Sequence, residues 1–367
     1  MTNSIREIPL SEAFLVIGSN TTENHPVIGS MIKKAVLLGG KKLVVADPRR
    51  IELARYADVF LQIRPGTNIA LLNGLMHVIL RDGLEDKAYV QSRCEGFEPL
   101  AEILKKYTPE HVAGICGLPD PGQIEKAARL LAAAKPMALY YCMGITQFKS
   151  GVNGVKSVAN LQMLLGNLGV PGGGVNPLRG QSNVQGACDM GGLPNVLTAY
   201  QPVTSPEARQ KFEQAWGVAG LPDKPGLTIV ESLNAAIEGK VRGLYVMGEN
   251  PVLSDPNQHH VIEALDKLDF LVVQDITLTE TAAHADVVLP SYAFLEKEGT
   301  ISNTERRVQL MHRIVKPAGD IREDWWILQE VANRLGASWN YQNAEEIFEE
   351  MRRLTPSYAG LTWERVD

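Results

Sequence analysis

Ala13-Phe-Leu-Val-Ile-Gly18 is a continuous apolar run that ends in glycine, and it indicates the class of fold. Such a run is typical of a parallel strand that is buried on both faces. A polar turn follows, Pro26 can open a helix, and helical apolar spacing covers Val27–Leu38 until Gly39 ends it. The stretch therefore predicts a strand, a turn and a helix in succession.

The following segments continue this alternation. Strands are predicted over Lys42–Ala46 and Ala57–Gln62, and a helix over Ile69–Leu80. A further helix and strand are predicted over Gln123–Ala134 and Met137–Cys142. Alternating strands and helices form a parallel sheet with helices on both faces. We therefore expect an α/β, Rossmann-like fold.

The same order of elements returns in the second half of the chain. Gly18 precedes Asp47 by 29 residues, and Gly248 precedes Asp275 by 27. In both cases another aspartate follows 11 residues later. This repeated spacing predicts two copies of one α/β unit.

Three parts are therefore predicted along the chain. Residues 1–181 form a first dinucleotide-binding-like α/β domain, and residues 182–322 form a second, related one. Residues 323–367 are expected to be a C-terminal helical segment that packs back on the first domain.

The composition is that of an ordinary globular protein. The chain has 367 residues, of which 45% are hydrophobic and 21% are charged. Its net charge of −6 argues against a nucleic-acid surface or a polybasic membrane anchor. No apolar run is long enough to span a bilayer, and Met1–Ser4 does not begin a signal peptide. We expect a cytoplasmic protein.

The cysteines do not indicate a metal site. Cys94, Cys116, Cys142 and Cys188 are widely spaced and include no Cys-x-x-Cys pair. Scattered thiols of this kind are expected to be reduced packing residues. No metal ligand is therefore predicted among the cysteines or the dispersed histidines.

Each repeat brings the end of a strand, a glycine turn and a helix N-terminus together. Free N–H groups and the helix dipole favour phosphate at such a place, so two copies suggest two nucleotide-like groups. Asp47 and Asp275 lie where ribose or base edges are often held, although capping of the next turn explains them equally well. Neither copy has Gly-x-Gly-x-x-Gly, which disfavours a plain nicotinamide dehydrogenase.

Asn176–Gly192 is a glycine-rich polar stretch with one cation, Arg179. A guanidinium beside Gly180 can hold a small planar carboxylate through two parallel hydrogen bonds. A surface arginine, or one paired with Asp189, is the alternative. His25 is likewise open to two readings, as a turn residue or as a cofactor contact.

Seven motifs span nearly the whole chain. They are Val16–Pro26, Val45–Arg50, Ile63–Thr67, Gly144–Gln147, Asn176–Gly191, Met247–Pro251 and Glu298–Arg307. In this order they resemble the catalytic subunit of molybdenum- or tungsten-dependent formate dehydrogenases. These enzymes belong to the molybdopterin oxidoreductases related to dimethyl sulfoxide reductase.

The resemblance implies a bis-molybdopterin guanine dinucleotide cofactor that carries Mo or W. One guanine dinucleotide arm is expected to contact Gly18, Asn20, Asp47, Arg49, Gly66, Gly144 and Gln147. The other is expected to contact Gly248, Glu249, Asn250, Ser254, Gln274, Asp275 and Thr279. His25 and Asp324 are further expected cofactor contacts, with no arm assigned to them. By the same resemblance Arg179 orients formate, and Gly180 and Gln181 lie close to the pterins. Formate then loses its C–H hydrogen and two electrons, which leaves carbon dioxide. The metal accepts the two electrons and passes them to an iron–sulfur cluster.

Several parts of the family pattern are absent from this sequence. It lacks the amino-terminal cysteines that bind a [4Fe-4S] cluster, the selenocysteine or cysteine metal ligand followed by His, and the carboxy-terminal barrel. We therefore expect a central fragment that is inactive alone and works with the missing N- and C-terminal parts. An iron–sulfur electron-transfer subunit is the expected protein partner, and an export signal could lie upstream.

Two other functions stay open. One is another molybdopterin oxidoreductase, such as a nitrate reductase, although Arg179 within Leu-Arg-Gly-Gln favours formate. The other is a non-catalytic scaffold subunit that kept the fold. The presence of Arg179 and of both sets of guanine-site loops argues against it.

A selenoprotein origin is testable in the DNA. Met1–Ile5 resembles a family segment that lies a short distance downstream of the selenocysteine, which UGA encodes. We predict an in-frame UGA a few tens of bases upstream of the start codon. Sequencing the flanking DNA tests this, and a sense codon or an unrelated frame there would refute it.

Overall fold

The computed structural model describes all 367 residues and divides them into two compact units. Unit 1 comprises Met1–Ser182 together with Asn303–Arg307. Unit 2 comprises Asn183–Ser302 together with Val308–Asp367.

Unit 1 is built on a five-stranded sheet in which all neighbouring strands are parallel, with the order β3-β2-β1-β4-β5. Its central strand β1 is buried along its whole length, as the apolar run predicts. The strands are β1 (Ala13–Ile17), β2 (Lys42–Ala46), β3 (Val59–Leu61), β4 (Met137–Tyr141) and β5 (Val175–Pro177).

Helices cover both faces of this sheet because successive side chains of β1 point to opposite sides. Phe14 and Val16 pack in one cluster with Ile32, while Leu15 and Ile17 pack in another with helical leucines such as Leu71. The helices are α1 (Thr21–Asn24), α2 (Pro26–Gly39), α3 (Asn68–Arg81), α4 (Lys87–Arg93), α5 (Phe97–Leu104), α6 (Pro109–Cys116), α7 (Gly122–Ala133), α8 (Met143–Thr146) and α9 (Gly151–Leu164). The predicted parallel sheet flanked by helices is confirmed.

Unit 2 contains a smaller parallel sheet of three strands in the order β10-β9-β8. Leu271 and Val273 pack beneath helical residues such as Val261. The strands are β6 (Val196–Leu197), β7 (Gln201–Pro202), β8 (Gly243–Met247), β9 (Phe270–Asp275), β10 (Val287–Pro290), β11 (Gly299–Ser302) and β12 (Val308–Met311). The helices are α10 (Val184–Asp189), α11 (Pro206–Trp216), α12 (Ile229–Ile237), α13 (Pro251–Ser254), α14 (Gln258–Asp266), α15 (Asp324–Arg334), α16 (Ala344–Leu354) and α17 (Trp363–Val366).

The two units repeat one local structure at the end of their first strand. Gly18 has φ +58° and donates its N–H to the carbonyl of Ala46 at 3.1 Å. Gly248 has φ +62° and donates to the carbonyl of Gln274 at 2.9 Å. A four-residue helix begins three residues after each glycine. Both glycines permit a left-handed turn that an L side chain would strain.

The second aspartate of each copy also has the same structural role. Asp58 exchanges two hydrogen bonds with Leu43, because its N–H donates to the Leu43 carbonyl and its carboxylate accepts the Leu43 N–H. Asp286 makes the same pair of bonds with Leu271. The equal spacings in the sequence thus reflect matching turns that enter the third strand of each copy.

The C-terminal segment lies in unit 2, whereas we predicted that residues 323–367 would pack on the first domain. Phe348, Tyr358 and Val366 form a small apolar cluster with Val308 and Leu310. Apolar side chains of a short hairpin in unit 2 therefore cover the apolar faces of the last helices.

None of the helices combines the length and the apolar character needed to cross a membrane.

A close contact between two glycines makes one position of unit 1 intolerant of any side chain. A Cβ on Gly18 would lie 2.7 Å from the carbonyl carbon of Gly144, whereas a Cβ on Gly40, which also has positive φ, would meet nothing within 4 Å.

We predict that Gly40→Ala costs about 1–2 kcal/mol from backbone strain alone. Gly18→Ala is expected to cost about 1–3 kcal/mol more because it also overpacks the contact. Urea unfolding of the two variants measures the difference. Equal losses of unfolding free energy in the two variants would show that the backbone around Gly144 can shift to accommodate the added Cβ.

Candidate functional site

A cleft of about 450 Å³ opens at the carboxyl ends of the strands in unit 1. Its walls come from the turns that follow β1, β2, β3 and β4. The strand order reverses between β1 and β4, and open α/β sheets bind ligands at this kind of switch point.

The cleft brings together six of the residues predicted for the first guanine dinucleotide arm. They are Gly18, Asn20, Asp47, Arg49, Gly66 and Gly144. Gln147 is exposed at the end of α8 and does not line the cleft.

Eight further lining residues were not predicted. They are Ser19, Asn24, Pro48, Pro65, Asn68, Cys142, Met143 and Phe148. Most of them are direct neighbours of predicted site residues in the sequence. Their position in the turns after predicted buried strands could have identified them. Cys142 was assigned only to packing, although it follows β4 directly.

Backbone forms one part of the cleft because no side chain intervenes there. Gly144 donates its N–H to the Gly18 carbonyl at 3.0 Å, and the amide of Asn68 donates to the Gly144 carbonyl at 3.1 Å. A ligand can therefore approach the main chain closely at this point.

Asp47 is the buried acid of the cleft, with 6% of its surface exposed. Its Oδ1 accepts the N–H of Arg49 at 2.8 Å, while its Oδ2 makes no hydrogen bond within the protein. Burial raises the pKa of Asp47, although the Arg49 N–H and the Arg49 charge oppose that shift. The two readings of Asp47 thus involve different atoms, because one oxygen caps the turn and the other is free for a ligand.

Two positive groups complement this carboxylate. The exposed guanidinium of Arg49 forms no ion pair and lines the cleft. Helix α3 begins at Asn68, so the positive end of a 14-residue helix also borders it. The cleft therefore offers hydrogen-bond acceptors and anion-binding groups together, as the parts of a nucleotide require.

Arg179 follows β5, and its guanidinium forms no hydrogen bond or ion pair. Asp189, its alternative partner, instead accepts hydrogen bonds from Gln185 at 2.8 Å and from Tyr358 at 3.0 Å. Burial raises the pKa of Tyr141, and the positive charge of Arg179 opposes that rise. Gly180 and Gln181 are exposed beside this half-buried cation.

His25 lies outside the cleft lining. Its ring Nε2 is 2.6 Å from the carbonyl oxygen of Arg179, and its buried Nδ1 has no partner. The structure thus joins two predicted site residues that are far apart in the sequence. A contact between His25 and the cofactor stays a prediction.

In unit 2, two residues predicted to contact the cofactor, Gln274 and Asp324, bond to each other. Gln274 is fully buried and donates to the carboxylate of Asp324 at 2.8 Å. Tyr245 donates to the other end of the Gln274 amide, and Lys297 pairs with Asp324. Residues on two strands and a helix are thereby fixed in one polar chain.

The remaining predicted residues of unit 2 lie in the turns after β8 and β9, at the end of β9 and at the end of α13. Asn250 accepts from the N–H of Thr281 at 3.1 Å and donates to Glu280 at 2.7 Å. Asp275 accepts the N–H of Ile276 at 2.6 Å, and the Thr279 hydroxyl accepts the N–H of Ala282 at 3.1 Å. Ser254 donates to Asp255 at 3.3 Å, and Gly248 and Glu249 are exposed.

No group of three or more His, Cys, Asp and Glu side chains is arranged to hold a metal ion.

Comparison with known proteins identifies the family. Residues 1–334 match the family described as molybdopterin oxidoreductase. The chain belongs to this family, which implies a molybdopterin cofactor with Mo or W.

Two of the similar curated proteins are named as formate dehydrogenases. The chain is 50% identical over its whole length to the F420-dependent formate dehydrogenase subunit alpha of Methanocaldococcus jannaschii, and it covers 54% of that protein. It is 44% identical over its whole length to formate dehydrogenase H of Escherichia coli, of which it covers 51%. The chain thus spans about half the length of these relatives.

A solved structure shares the fold of this chain. Acetylene hydratase from Pelobacter acetylenicus aligns with a TM-score of 0.75 and 26% identity over 96% of this chain and 51% of its own.

The burial of Asp47 has a consequence for stability. Its pKa in the folded protein is above its unfolded value, so its contribution to stability is largest below the unfolded pKa of about 4 and is lost as pH rises through the folded pKa. Asn at this position can still accept the Arg49 N–H and carries no charge.

We therefore predict that Asp47→Asn raises the thermal midpoint at pH 7 and that the gain shrinks towards pH 4. Thermal unfolding across this pH range measures the effect. Glu12→Gln, at an exposed surface carboxylate, is the matched control. A lower midpoint for Asp47→Asn at pH 7 would contradict the prediction.

Proposed function

We propose that this chain is the central part of a formate dehydrogenase catalytic subunit that binds bis-molybdopterin guanine dinucleotide. Identity of 44–50% to relatives named as formate dehydrogenases supports this assignment. The single structural observation that carries it is the unpaired guanidinium of Arg179 on a backbone held within unit 1.

The cleft of unit 1 fits one guanine dinucleotide arm. Its glycines admit a ligand to the backbone, Asp47 Oδ2 offers an acceptor for ribose or base groups, and Arg49 offers a cation for phosphate. Gln147 and His25 are assigned to the rim of this arm, and Gly180 and Gln181 to the pterin end.

The corresponding turns of unit 2 are assigned to the second arm. Their likeness to unit 1 supports this, because Gly248 and Asp275 occupy the positions of Gly18 and Asp47 in the repeat. The other residues assigned to this arm are Glu249, Asn250, Ser254, Gln274, Thr279 and Asp324.

Arg179 is assigned the task of orienting formate. Two parallel N–H groups of its guanidinium match the two oxygens of the carboxylate, so the C–H bond points away from the arginine. The cation also counters the negative charge of formate before oxidation. The bound cofactor supplies a metal that accepts two electrons, so that formate yields carbon dioxide, one proton and two electrons.

Electron exit and the remaining cofactor contacts are assigned to parts outside this chain. In this proposal the N- and C-terminal parts of the subunit provide the metal ligand, a [4Fe-4S] cluster and a closing domain. An iron–sulfur subunit then receives the electrons. The 367-residue chain alone is accordingly proposed to be inactive.

Replacement of Arg179 in the full-length enzyme tests whether this residue binds and orients formate. Arg179→Gln removes the charge and the fork, so kcat/KM for formate is expected to fall by about 100-fold or more, the equivalent of roughly 3 kcal/mol. Arg179→Lys keeps the charge and is expected to lose about tenfold. Steady-state kinetics with formate gives these values.

Arg242→Gln is the matched control, since Arg242 is a surface residue of unit 2 with 78% of its side chain exposed. It is expected to leave kcat/KM unchanged. Retention of kcat/KM by Arg179→Gln would refute the assignment of Arg179 to formate.

A further inference from the structure

The peptide of Arg179 is held at both ends by side chains. Its carbonyl oxygen lies 2.6 Å from Nε2 of His25, and its N–H donates to the Thr304 hydroxyl at 3.0 Å. Because a carbonyl only accepts, His25 carries its proton on Nε2. The Thr304 hydroxyl in turn donates to the carbonyl of Pro177 at 2.9 Å.

The hydrogen bonds with His25 and Thr304 hold the Arg179 peptide where the backbone pairing between β4 and β5 has ended. Leu178 donates its N–H to the Tyr141 carbonyl at 2.8 Å, which is the last backbone bond on this side of the sheet. Neither Arg179 nor Gly180 has a backbone partner. The direction in which the Arg179 side chain leaves the backbone therefore depends on His25 and Thr304.

His25 is itself fixed in a junction between two helices. Its N–H donates to Thr21 at 3.0 Å, and its carbonyl accepts from Gly29 at 2.9 Å. The buried Nδ1 has no hydrogen-bond partner, so Nε2 makes the only hydrogen bond of the ring. A buried polar atom without a partner costs free energy, and the Nε2 bond is the one hydrogen bond within the protein that offsets this cost for the ring.

Thr304 lies in a tight turn that belongs to unit 1. Within the turn, Asn303 Oδ1 accepts the N–H groups of Glu305 and Arg307, each at 3.0 Å. The Glu305 carboxylate accepts the Ser4 hydroxyl at 2.7 Å. Burial alone would raise the pKa of Glu305, but its hydrogen bonds, beginning with that from Ser4, lower it.

We propose that His25 and Thr304 are positioning residues that fix the backbone of Arg179 and leave its guanidinium free for an anion. This inference rests on the proposed role of Arg179 with formate. It assigns to His25 a task in orienting the substrate-binding arginine. Neither residue touches the reacting atoms.

Two pairs of variants in the full-length enzyme separate the hydrogen bond from the shape of each residue. His25→Gln and Thr304→Ser keep the donor or acceptor, whereas His25→Leu and Thr304→Val remove it. The amide hydrogen exchange of Arg179 reports on the backbone directly. The KM and kcat for formate report on how well the guanidinium is oriented towards the substrate.

We expect His25→Leu and Thr304→Val to speed exchange at Arg179 by about threefold to tenfold, the factor that one net hydrogen bond supplies. KM for formate should rise by a similar factor while kcat changes less. Gln and Ser should restore both quantities. Lys106→Gln, at an exposed site, should change neither.

Unchanged exchange in His25→Leu and Thr304→Val, or equal damage from the conservative variants, would overturn the inference. Faster exchange with an unaltered KM would also overturn it if Arg179→Gln does raise KM. If Arg179→Gln leaves formate kinetics unchanged, the proposed function fails instead, and exchange alone then decides whether His25 and Thr304 hold the backbone.

Discussion

The contact between the backbones of Gly18 and Gly144 is the constraint on which unit 1 depends. These glycines follow the two strands where the strand order of the sheet reverses. The N–H of Gly144 bonds to the carbonyl of Gly18, and a Cβ on either would overlap the other backbone. Because the two turns meet so closely, they leave a cleft whose base is main chain. Its polar groups come from the neighbouring turns.

Much of this arrangement follows from the sequence. The apolar run at residues 13–17 predicts a buried strand, and the structure buries all five residues. The spacing between aspartates predicts a repeat, and Asp58 and Asp286 make identical pairs of hydrogen bonds. Local signals of this kind are strong because strand ends and turns are determined by adjacent residues. The family motifs placed six residues that the cleft brings together.

Other features depend on contacts between distant residues, which leave no local pattern. The partner of His25 is 154 positions away, so the sequence left its role open between a turn and a cofactor contact. Nothing near Thr304 indicates that its hydroxyl accepts the N–H of Arg179. The surface that covers the C-terminal helices is another such feature, because an amphipathic helix reveals which face is apolar and not which residues cover it. Tertiary packing decides such questions.

The turn that contains Thr304 also affects the order in which the protein can be assembled. Unit 1 is discontinuous in the sequence, since Asn303–Arg307 completes a body made mainly from the first 182 residues. Thr304 is 125 residues from Arg179, so a ribosome working at about 5–20 residues per second needs roughly 6–25 s to make that interval. During that time the sheet of unit 1 is already synthesised, but the Arg179 N–H lacks its partner. The Arg179 backbone therefore gains its hydrogen bond to Thr304 only late in the synthesis of the chain.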